Sequence, residues 1–143
     1  MRNKIIVFTV GIFITALLAG FIVISGPPAP QKYEMVIKKV DGVWKVVDAT
    51  DIKKTQVHAR KKDVIVWTSE GTDAYLQFPD KLFNPVDPED SLKHGFTKFL
   101  KSGKKVKLRV RDDVLAGTYE YAVFCTADGV FAEGDSPPKI VIE

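Results

Sequence analysis

Residues 103–125 read GKKVKLRVRDDVLAGTYEYAVFC, and this stretch decides the fold. Val106, Leu108 and Val110 alternate with Lys105, Lys107, Arg109 and Arg111, the period-two pattern of a strand with one buried and one basic face. A turn containing Ala116-Gly117 follows, and residues 118–124 supply a second apolar strand that ends at Cys125. Working outward, residues 64–67 (VIVW) read as a strand covered on both faces, and residues 74–78 as the next one. Upstream, residues 33–40 and 43–47 flank Asp41-Gly42, the two-residue signal of a tight hairpin. Residues 55–59 and 139–142 complete the set. Turn chemistry separates the strands at Lys62-Asp63, 69–73 and Ser102-Gly103. Residues 87–92 could make one short turn or helix, and nothing after residue 30 has the period of a long one. Seven or eight short strands in about 110 residues predict an all-β, Greek-key β-sandwich.

The 143 residues carry a net charge of +3, too small to mark a nucleic-acid binder. One cysteine excludes an internal disulfide, a CxxC redox pair and a cysteine-built zinc finger. The average conceals two populations. Residues 5–24 form an uncharged run of 20 residues, IIVFTVGIFITALLAGFIVI, preceded by Arg2 and Lys4. As a helix rising about 1.5 Å per residue it matches a bilayer's hydrocarbon core of about 30 Å. The expected organisation is therefore a basic cytoplasmic end (1–4), a transmembrane helix (5–25), a Pro-rich linker (26–32) and an extracytoplasmic domain (33–143) of a single-pass membrane protein. A cleaved signal peptide is the alternative, although its apolar region is ordinarily shorter.

The segment DVIVWTSEGTDAYLQFPDKLF (63–83) resembles the "D-x-V-x-W … x-F" stretch of cupredoxins, the blue-copper sandwich family, and residues 103–125 resemble that family's "G … V … G-x-Y-x-[YF]-x-C" strands. The ending SPPKIVIE (136–143) is similar to its last strand. The resemblance implies a type 1 copper site built from two histidines, a cysteine and a weak axial methionine. It puts Ala74 or Tyr75 at the first histidine's position and Cys125 at the cysteine's. The remaining ligands should follow within about ten residues, but TADGVFAEGDSPP (126–138) has no His, Met or Gln. A binuclear copper centre needs a second cysteine in that loop and is excluded more firmly. The implied protein is a cupredoxin-like domain without its copper.

Several residues remain as candidates. Cys125, after the apolar run, is expected to cap a core strand; a residual soft-metal site at this residue, with copper as cofactor, is the alternative. His58 falls on the outward parity of its strand and His94 in a polar stretch, so both read as surface histidines. Asp128, Glu133 and Asp135, and separately Asp87, Glu89 and Asp90, read as solvated loop acids, with a hard cation as the alternative ligand of the first group. Lys105, Lys107, Arg109 and Arg111, with Lys101 and Lys104, line one hairpin face that a protein partner or anionic lipid could meet; a solvated, aggregation-resistant face is the simpler reading. Tyr119 and Tyr121 are expected on one strand face. No GxSxG, HExxH or P-loop pattern occurs, so no enzyme is expected. The leading functional reading is a binding or assembly module without cofactor, and the alternative is a copper or electron-transfer protein using Cys125.

Overall fold

The computed structural model describes residues 25–133 and 137–143, so the expected membrane helix at 5–25 lies, but for its last residue, outside the described residues. Among those residues no helix is long and apolar enough to cross a membrane. Apart from one 3-10 turn at Pro88–Asp90, the regular structure is all β.

Among the described residues twelve strands form where seven or eight were expected. They are β1 (Lys32–Val40), β2 (Val43–Asp48), β3 (Gln56–Ala59), β4 (Val64–Ser69), β5 (Ala74–Gln77), β6 (Phe83–Pro85), β7 (Thr97–Leu100), β8 (Lys105–Val110), β9 (Gly117–Glu120), β10 (Ala122–Cys125), β11 (Val130–Phe131) and β12 (Lys139–Ile142). One layer is a five-stranded sheet in the order β2-β1-β4-β8-β6. A four-stranded ribbon, β11-β10-β5-β7, and a three-stranded ribbon, β3-β12-β9, make up the remainder. Two pairings are parallel, β1 with β4 and β3 with β12. The β1–β2 hairpin closes at Asp41-Gly42 with φ of 51° and 79°, the paired positive angles that a twist-compatible two-residue turn requires.

The alternation read in 105–110 is realised. Val106, Leu108 and Val110 are buried, while Lys105 and Arg109 are exposed. All three belong to one apolar core drawn from both layers, together with Met35, Ile65, Leu76 and Ile140.

At its centre Trp67 is fully buried, with ring centroids of Phe78, Phe83 and Tyr121 at 4.9, 5.6 and 5.8 Å. The indole Nε1 donates to the Tyr121 hydroxyl at 3.2 Å, so the most apolar part of the domain still satisfies its one polar donor.

Residues 118–124 do not form a single strand. β9 pairs with β12, a register that the Tyr121 N–H extends by donating to Pro138 O at 3.0 Å, and from Ala122 the chain changes partner, β10 pairing with β5. The tyrosine pair is divided accordingly. Tyr121 enters the core, whereas Tyr119 is half-buried and donates to Leu115 O at 2.7 Å, bracing the turn that feeds β9.

The linker enters at the opposite end of β1 and β4 from the β4–β5 loop. There the buried Asp63 accepts from Gln31 N at 2.7 Å and from Arg60 N at 2.8 Å. At the other end Glu70 N donates to Ile37 O.

Candidate functional site

The end of the sandwich away from the linker gathers the residues that the copper resemblance singles out. β10 carries Cys125 to this end with its side chain fully buried, as expected for a strand-capping core thiol. Its partner across the ladder is Ala74 on β5, while Tyr75 pairs with Phe124 and faces outward. A methyl group therefore stands where the resemblance asks for an imidazole. The adjoining loops are tied to one another by hydrogen bonds. Thr126 donates to Asp73 O through N and Oγ1 at 3.0 and 3.1 Å, Ser69 Oγ donates to Thr72 O at 2.6 Å, and Ser102 N donates to Asp73 Oδ1 at 2.8 Å.

Asp128 is exposed, as expected of a loop acid, and is also engaged by neighbouring side chains. It accepts from Trp44 Nε1 at 2.6 Å and pairs with Lys39 Nζ at 2.6 Å, and Lys39 lies 5.3 Å from the Trp44 ring centroid. The Lys39 ammonium first, and the indole donor second, hold the Asp128 carboxyl below its usual range. Glu133 is exposed and bonds through its backbone, its N–H donating to Trp44 O; Asp135 lies outside the described residues.

The second acidic group departs from expectation. Asp90 is buried, not solvated, because it accepts from Asp87 N and Lys107 N and so cross-links the 3-10 turn to β8.

The two histidines stay apart from the thiol. His58 is exposed on β3, with Nδ1 3.3 Å from Glu143 Oε1, at the end of the three-stranded ribbon where the linker enters. His94 sits exposed in a turn with φ of 56°, near Phe96. Met35 is buried in β1. Among the described residues no three His, Cys, Asp or Glu side chains come together to hold a metal ion. The donor set does not fit type 1 copper, because a lone thiol opposite an alanine offers one soft ligand where the centre needs three or four.

The four cations of the basic hairpin are unequal. Lys107 Nζ pairs with Asp87 Oδ2 at 2.9 Å, a contact that raises the lysine's pKa. Arg111 forms a two-pronged pair with Asp113 at 2.9 and 2.8 Å. Lys105 and Arg109 remain exposed.

Sequence reading did not find a row of rings across the outer face of the four-stranded ribbon. Phe131 pairs with Phe124, Phe124 with Tyr75, and Tyr75 with Phe99, each directly across a ladder. Ring centroids lie 5.2 Å apart for Phe124–Phe131 and 4.7 Å for Tyr75–Phe99. Phe131, Tyr75 and Phe99 are 63, 54 and 42% exposed, while their inward neighbours Leu76, Val123 and Leu100 are buried.

Burial first, and the Asp128 carboxylate second, push the Cys125 thiol up from 9.0 to about 11. The native thiol is accordingly expected to be inert to a thiol reagent near pH 8 and to react fully once the chain is unfolded. A raised folded pKa favours the protonated form. Its contribution to stability is therefore complete below about pH 9 and is lost as the pH climbs toward about 11. Tyr121, raised still further by burial, acts in the same direction. Thermal melts between pH 8 and 11 should show this alkaline loss, and Cys125→Ala should flatten its slope. Equal reaction of native and unfolded thiol would contradict the burial.

No protein-family model matches the chain, and no curated protein sequence does. Similar solved structures include amicyanins. An oxidised amicyanin mutant is 16% identical, covering 77% of this chain and 80% of that one, with a TM-score of 0.40. A reduced Cu(I) mutant form at pH 4 is 13% identical over 83% and 87%, with a TM-score of 0.40. A Cu(I) form of another mutant is 16% identical over 77% and 82%, with a TM-score of 0.41. These superpositions are loose, and the architecture stands on the strand pairings above.

Proposed function

We propose that the chain is a membrane-tethered, extracytoplasmic cupredoxin-like domain that has no type 1 copper centre and works by holding another protein. The observation that carries this reading is Ala74 opposite the buried Cys125, with no metal-holding group of His, Cys, Asp or Glu among the described residues. A domain that keeps the β-scaffold and the strand-end cysteine without the imidazoles retains a rigid platform for contacts. It has no ligand set for reversible one-electron transfer. The uncharged run at 5–24 and the short Pro-rich linker support tethering, and Arg2 and Lys4 support a cytoplasmic N-terminus.

Titration of the purified full chain with Cu(II), read in the visible, is the test. The expected result is no intense thiolate-to-copper band, and the same spectrum from Cys125→Ala. A stoichiometric band lost in Cys125→Ala would replace this reading with a copper protein.

A further inference from the structure

The aromatic row lies on the one face of the four-stranded ribbon that its own core does not use, and it ends beside a groove. Phe99 forms one wall of that groove, a cleft of about 760 Å³, and Lys98, Lys101, Lys104 and Lys105 form much of the remainder. Glu89 is the single acid in the lining. Lys98 Nζ donates to Glu89 O and Ser91 O, backbone oxygens that leave its charge unpaired by a carboxylate, while Lys101, Lys104 and Lys105 are exposed.

We infer that the row and the groove together are the docking seat for an acidic protein segment carrying apolar anchors. This inference rests on the reading of the domain as a binding module and names its surface and the chemistry of its partner. Aromatic side chains are costly to leave in water in a contiguous line, and three of the four rings here are substantially exposed. Rigid aromatic rings are also the side chains that contribute most at protein interfaces, because burying them sacrifices few rotamers.

The charge beside the row selects the occupant. Four lysines against one glutamate attract an acidic segment and steer its approach. The same charge disfavours a second copy of this face, which would set lysines against lysines. Position disfavours the bilayer of the chain's own anchor. The linker enters beside Asp63, at the start of β4, whereas Lys105 pairs with Thr68 near the strand's far end.

The test uses the full chain in zwitterionic nanodiscs and a labelled short peptide of alternating Glu and Phe, followed by fluorescence anisotropy. The Glu/Phe peptide should bind in a salt-sensitive manner. Tyr75→Ser with Phe99→Ser, and separately Lys101→Glu with Lys104→Glu, should each weaken it about tenfold or more, the loss ordinarily seen at an interface anchor. Near-UV circular dichroism of the core checks folding; if Tyr75→Ser disturbs it, Phe99→Ser and the lysine pair carry the test.

Unchanged affinity in the variants, or equal binding of a Lys/Phe peptide, would overturn the proposal. So would loss of phosphatidylglycerol-vesicle binding, or of self-association by sedimentation, in the same variants without peptide binding. Failure here with no thiolate-to-copper band removes the seat and leaves the copper-free reading standing. A band removes that reading whatever the peptide does.

Discussion

Trp67→Ala is expected to destabilise the domain by about 3–5 kcal/mol, the range for emptying a buried aromatic site. The loss goes beyond apolar area. The indole sits among Phe78, Phe83 and Tyr121, so its removal opens a cavity bordered by three rings, from the β5–β6 loop, β6 and the junction of β9 and β10. It also deprives the buried Tyr121 hydroxyl of its donor. Against a total stability of about 5–15 kcal/mol for an ordinary domain, this is a large fraction. Urea unfolding followed by circular dichroism measures it. Tyr121→Phe separates the two contributions, because it keeps the ring and strands the indole N–H at a cost of about 1–3 kcal/mol. A Trp67→Ala loss below about 1 kcal/mol would show that the two layers do not close on this residue.

Asp63→Ala is expected to cost about 2–4 kcal/mol, since it leaves the Gln31 and Arg60 amides without their acceptor in a half-buried setting. The effect should be local as well as global. Asp63 joins Gln31, near the end of the linker, to the β3–β4 turn, where Lys62 holds a φ of 73°. Hydrogen exchange at Gln31 and Arg60 should accelerate in Asp63→Ala by more than at Val106, and Asp63→Asn should lose less because its carbonyl still accepts. Equal acceleration at all three amides would mean that the carboxylate is part of the general fold and not a clamp on the linker.

What the sequence made legible was the periodic part. Residues 105–110, the Asp41-Gly42 hairpin and the fully covered strand ending in Trp67 follow from local alternation and turn chemistry, and each stands where the pattern places it. β6 was missed because Phe83–Pro85 contains a proline, a residue that ordinarily argues against a strand and is tolerated here at a sheet edge beside β8. β7 and β11 are too short and too mixed to show a period. The division at Tyr121 was invisible because 118–124 is uniformly strand-like; what divides it is a change of partner, from β12 and the Pro138 carbonyl up to Tyr121 to β5 from Ala122 onward.

The candidate site divides in the same way. The poverty of ligands after Cys125 is a statement about composition and could be read directly. The burial of Asp90 depends on Lys107 N, a group 17 positions away, and the aromatic row on a register among four strands. Neither is written in any local window.

The last four-residue strand, β12, lies between β3 and β9 and pairs with both. Residues 139–142 are thus the keystone of that three-stranded ribbon and not one of its edges. A polypeptide emerging N-terminus first exposes both neighbours of that slot before anything can fill it. Completion of that ribbon must wait until residues 139–142 have been made, and a truncation before Lys139 would be felt as arrested assembly more than as altered surface.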